Sequence, residues 1–81
     1  MKIEILGTGC TKCNMLEAAT KAAADQLGVS YELEHVKDLG KIAGYGVMLT
    51  PALVIDGQVR VSGRVPSEAE LTTMLTTALA R

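Results

Sequence analysis

Two thiols separated by two residues, in the run Cys10-Thr11-Lys12-Cys13, are the side chains best suited to chemistry, and the chain has no other cysteine. At three-residue spacing on a helical turn both side chains lie on one side. Their Cα atoms then fall within the roughly 4.4–6.8 Å that a disulfide spans. A loop this short gains little from cross-linking, and stapled secreted mini-proteins carry about four to eight cysteines. Scaffolding is therefore a poor reason for the pair. Thiol–disulfide exchange is a better one: Cys10 attacks a substrate disulfide and Cys13 resolves the mixed disulfide from within. Cys10 stands nearest the start of the predicted helix, where unpaired N–H groups and the positive dipole end favour thiolate. Moving a thiol pKa from about 8.5 to about 7 raises the thiolate fraction at neutral pH from a few per cent to about half. Lys12 modulates that thiolate if its ammonium turns inward, and is solvated if it does not.

The surrounding pattern supplies elements to position these groups. Lys2 to Leu6 reads as a short strand ended by Gly7-Thr8-Gly9. Thr11 to Leu27 reads as a helix with Leu16, Ala19, Ala23 and Leu27 on one stripe and Glu17, Lys21 and Asp25 on another. Val29 to Val36 alternates as a strand, and Asp38 caps a short helix to about Ala43. Asp56-Gly57 between Ala52–Ile55 and Gln58–Val61 predicts a hairpin. Ser67-Glu68-Ala69-Glu70 is a capping box for a last helix whose core face is Leu71, Met74, Leu75, Ala78 and Leu79. The order is βαβαββα, an α/β domain over residues 1–81 with a four-stranded mixed sheet flanked by three helices. The first two strands are parallel and the hairpin is antiparallel.

Composition narrows the function. At 81 residues the chain is near the lower size limit for independent folding. Only Tyr31 and Tyr45 are aromatic, so aliphatic residues and methionine must fill the core. A net charge of −1 with scattered lysines and arginines argues against nucleic acid as a partner. No apolar run reaches the about 18 residues of a membrane span, and the N-terminus does not read as a signal peptide. These features predict a cytoplasmic protein with no membrane partner.

Thr50-Pro51 opens the third strand, where proline costs no ladder hydrogen bond; local chemistry leaves the isomer of that bond open. Gly9-Cys10-Thr11-Lys12-Cys13, the segment Val47-Met48-Leu49-Thr50-Pro51-Ala52-Leu53-Val54-Ile55-Asp56-Gly57 and the element order together resemble the small thioredoxin-like "redox-active disulfide" proteins of prokaryotes. The resemblance spans essentially the whole chain. It implies a minimal thioredoxin-like fold and protein disulfide oxidoreductase activity. It also implies a cis Pro51 beside the cysteine pair, with Thr50 offering its backbone to an extended substrate peptide. The partners implied are a disulfide-containing protein or small molecule and a reductase or thiol as electron donor, with no cofactor and no metal. The chain departs from the larger relatives in its Thr-Lys centre, which replaces the Gly-Pro of thioredoxin and the Pro-Tyr of glutaredoxin. Ser62-Gly63-Arg64-Val65 replaces the double-glycine turn that holds glutathione in glutaredoxins, leaving only Arg64 toward that ligand.

Two rival classes use the same residues. A Cu(I) or other soft-metal carrier would hold its ion between Cys10 and Cys13, but such domains carry methionine where Thr8 stands and end in a strand. Structural zinc needs four ligands, and only His35 joins the cysteines. A non-catalytic peptide-binding module would not need both thiols. His35 reads as a partly exposed strand residue and less readily as a base. Met15, Met48 and Met74 read as core filler, with Met48 also near enough to the predicted loop to touch substrate. Tyr45, between Gly44 and Gly46, either covers the disulfide or anchors the loop. Glu4 reads by alternation as a solvent-facing or edge residue.

Overall fold

The structure, a computed structural model, describes residues 1–8 and 11–80. In chain order the elements are β1 (Lys2–Leu6), α1 (Thr11–Leu27), β2 (Glu32–Val36), α2 (Leu39–Gly44), β3 (Ala52–Ile55), β4 (Gln58–Ser62) and α3 (Glu68–Leu79). The expected βαβαββα order holds. The four strands form one mixed sheet in the order β2-β1-β3-β4. β1 runs parallel to β2, with Ile5 opposite His35, and antiparallel to β3, with Leu6 opposite Ala52. Asp56 and Gly57 both take positive φ, 49° and 83°, as a two-residue hairpin turn requires. The Asp56 carboxylate also accepts the Lys2 N–H at 2.8 Å, tying the turn to the start of β1.

Alternation along β1 sends Ile3 and Ile5 to one face of the sheet, and they join Leu16, Ala23 and Ala24 of α1 and Leu71, Leu75 and Ala78 of α3. Leu6 faces the other way, into a smaller cluster with Val36, Ala52, Val54 and Ile42 of α2. Helices thus cover both faces of the central strands. Glu4 is therefore buried, only 8% exposed, which corrects the solvent-facing reading. That reading assumed that one side of β1 met water, whereas β1 lies in the middle of the sheet and under α2.

Other departures have equally local causes. β2 starts at Glu32, not Val29, because the chain must first turn out of α1. Gly28 at φ 71° and the Val29 N–H on the Ala24 carbonyl make that turn. The Tyr31 hydroxyl then donates back to Asp25 on α1 at 2.9 Å. Leu27 and Leu79 are the last residues of their helices and are substantially exposed. Met15 and Met48 are exposed as well, so neither is core filler; Met74 is half-buried against the α1–α3 side. No helix of the described residues is long and apolar enough to cross a membrane.

Both later helices begin on capping side chains. Asp38 accepts from Gly40 and Lys41 N–H groups at 2.8 and 3.3 Å. Ser67 accepts from the Glu70 N–H at 3.2 Å while the Glu70 carboxylate reaches back to the Ser67 N–H. Ser67→Ala should lower unfolding free energy by about 1 kcal/mol, measured by urea titration.

Candidate functional site

β1 ends at Gly7, whose N–H still bonds to the Val36 carbonyl of β2 at 3.0 Å. Beyond it the chain turns into α1, and the first turn of that helix is laid directly on Gly7. A Cβ at position 7 would overlap the Cys13 sulfur, lie 3.2 Å from the Cys13 Cβ and stand 3.9 Å from the Thr50 Cβ. Only glycine permits that approach. It brings together two groups 37 positions apart in sequence, the thiol of α1 and the residue before Pro51.

Cys13 is fully buried, whereas Thr50 is exposed. The Thr50–Pro51 peptide bond is cis, the isomer that the resemblance implied. Pro51 is itself fully buried, and its carbonyl accepts the Gly63 N–H at 2.9 Å. Gly63, at φ 80°, gives Leu49 a flat seat: a Cβ there would stand 3.2 Å from two Leu49 carbons. The loop bearing Thr50 and Pro51 is thus held from below by the β4 exit and from the side by Gly7. Of the site residues read from sequence, the fold brings Cys13, Thr50 and Pro51 together. Lys12 is exposed on the first turn of α1. Cys10, with Gly9, lies outside the described residues. The first turn of α1 carries no acidic side chain to offset the positive end of its dipole.

Of the two roles the sequence left open for Tyr45, the structure shows the anchor, with a partner that sequence reasoning missed. The Tyr45 hydroxyl donates to Glu4 Oε1 at 2.7 Å, joining the end of α2 to the central strand. That hydrogen bond, with burial and the negative charges of Glu4 and Glu34, holds the phenol above its ordinary range. Residues 46–50 leave for Pro51 from this anchored point, so Tyr45 acts as a loop anchor. Its place between two glycines was the available signal; the burial of Glu4 had none.

Two further residues take definite positions. His35 is more covered than expected, 14% exposed at the side chain, and its Nδ1 lies 3.3 Å from Glu17 Oε1, linking β2 to the second turn of α1. Arg64 forks onto the Glu70 carboxylate at 3.3 and 2.8 Å. The pairing holds Glu70 below the usual carboxylate range and Arg64 above its own. The guanidinium that sequence left open toward glutathione is therefore engaged within the chain.

Comparison with known proteins points the same way. Residues 1–76 match the thioredoxin domain family. The chain is 40% identical over 75 residues to a thioredoxin of Methanothermobacter thermautotrophicus, covering 93% of this chain and 97% of that protein. It is 38% identical over 69 residues to a thioredoxin of Methanocaldococcus jannaschii, covering 85% and 79%. With a βαβαββα sheet, a buried cysteine on the first helix and a cis-proline loop beside it, the chain belongs to the thioredoxin family of thiol–disulfide oxidoreductases.

Proposed function

We propose that the protein reduces disulfides through Cys10 and Cys13, with Cys10 as nucleophile, Cys13 as resolving thiol and the backbone at Thr50 and Pro51 as the rest for an extended substrate. The observation that carries this reading is the contact geometry at Gly7, which sets the buried Cys13 beside Thr50. Burial suits a resolving thiol, which must be shielded from outside disulfides until the first exchange has occurred.

In the first step the Cys10 thiolate attacks one sulfur of the substrate disulfide. A Cys10–substrate disulfide forms, and the second substrate sulfur leaves as thiolate and takes a proton. Cys13 then gives up its proton and attacks the Cys10 sulfur, releasing the first substrate sulfur as thiol. The substrate gains two electrons and the enzyme is left with a Cys10–Cys13 disulfide. A reductase or a small thiol returns the pair to dithiol, and the cytoplasm is the compartment whose poise supports that return. Lys12, two positions after Cys10 and next to Cys13, favours the thiolate electrostatically.

The test is a trap. Cys13→Ser incubated with disulfide-bearing protein should accumulate a mixed disulfide through Cys10, seen by non-reducing electrophoresis and mapped by mass spectrometry. Reduced wild-type protein that turns over no protein or small disulfide, yet binds Cu(I) stoichiometrically against strong chelators, would replace this reading with the metal carrier.

A further inference from the structure

Met48 is 95% exposed, the most open large apolar side chain of the described residues. It stands three residues before Pro51, on the loop that presents Thr50 beside Cys13. Its neighbour Leu49 is seated on Gly63, so the loop is fixed while the Met48 thioether projects into water. The other methionines differ: Met15 is 55% exposed, and Met1 and Met74 are partly buried against the core. Oxidation of a thioether follows its access to oxidant, and the sulfoxide is polar where the thioether was apolar.

We propose that Met48 is a peroxide-sensitive modification site, and that its sulfoxide weakens capture of apolar protein disulfides. The proposal rests on the disulfide-reductase reading of the adjacent site. A hydroperoxide supplies the oxygen: its O–O bond breaks, one oxygen passes to the Met48 sulfur and the remainder leaves as water or alcohol. The sulfur loses two electrons and the peroxide gains them. Thiolate reacts with peroxide before thioether does, so the dithiol is consumed first and Met48 afterwards. The sulfoxide therefore marks protein whose reducing supply has failed. A methionine sulfoxide reductase, itself driven by a dithiol, reverses the change.

The test begins with full-length protein in its disulfide form, treated with hydrogen peroxide and mapped by mass spectrometry. Met48 should oxidise roughly twofold faster than Met15, in proportion to exposure, and faster still than Met74. After reduction of the Cys10–Cys13 disulfide, KM for a peptide disulfide flanked by leucines should be raised about fivefold, with the rate on hydroxyethyl disulfide unchanged. Met48→Leu put through the same treatment should keep its KM. Equal oxidation of Met15 and Met48, or an unchanged KM in Met48-oxidised protein, overturns the proposal. Untreated protein that reduces neither disulfide overturns the reductase reading itself, an outcome recognised before any peroxide is added.

Discussion

Gly7→Ala should destabilise the protein by about 3 kcal/mol and lower its rate of disulfide reduction by about a hundredfold. The added methyl falls on the Cys13 sulfur and within 3.2 Å of the Cys13 Cβ. Both sulfur and strand belong to well-packed elements, so neither yields cheaply; overpacking of this kind costs about 1–3 kcal/mol and sometimes more. If α1 gives way, Cys13 moves off its place beside the Thr50–Pro51 loop, and misplacement by about 1 Å at a reacting centre costs about a hundredfold in rate. Gly44→Ala is the contrast. Gly44 ends α2 with nothing within 4 Å of a would-be Cβ, and its φ is not positive. That substitution should be neutral or stabilise by up to about 1 kcal/mol. Urea titration with turnover of an artificial disulfide measures both, and a Gly7→Ala protein with native stability and rate would contradict the contact geometry.

Tyr45→Phe carries the second large effect, a loss of about 2 kcal/mol with slower thiol–disulfide exchange. It removes the hydroxyl and leaves the Glu4 carboxylate buried without that donor, the costly way to break a hydrogen bond. Removing both polar groups is cheaper. The double variant Glu4→Leu with Tyr45→Phe should recover much of the stability lost by Tyr45→Phe alone, as a double-mutant cycle would measure. The pair also sets a pH dependence. Tyr45 holds its proton more tightly folded than unfolded, so its contribution is complete below the ordinary tyrosine value of 10.0 and is lost as pH rises through the raised one. The stability difference between wild type and Tyr45→Phe should therefore shrink under strongly alkaline conditions. Tyr31, raised in the same direction by Asp25, is present in both proteins and cancels.

Periodicity made the long elements legible: α1 runs from Thr11 to Leu27 as read, and the Asp56-Gly57 turn and the Ser67 capping box fall where their residues signal them. These features depend on neighbours in sequence. What escaped depends on neighbours in space. The burial of Glu4 follows from the position of β1 between β2 and β3, which no local pattern encodes. Met15 and Met48 have the composition of core residues but sit where the helix and loop face outward. At the site, the cysteine spacing and the Thr50-Pro51 pair were plain. The role of Gly7 was not, because a glycine ending a strand looks the same whether it marks a turn or makes room for a sulfur.

The sheet order has a last consequence, for how this protein meets other chains. β2 and β4 are its two free edges, and a free edge offers a row of N–H and C=O groups to any extended peptide. Neither edge invites one. β2 carries exposed Glu32 and Glu34 along its length, and an incoming strand would have to lie against both charges. The β3–β4 ladder slips register between Leu53 and Val54, leaving Arg60 as an extra residue that bends the outer strand. Both edges are thus guarded where an extended chain would add indiscriminately, while Thr50 stays exposed beside the thiol.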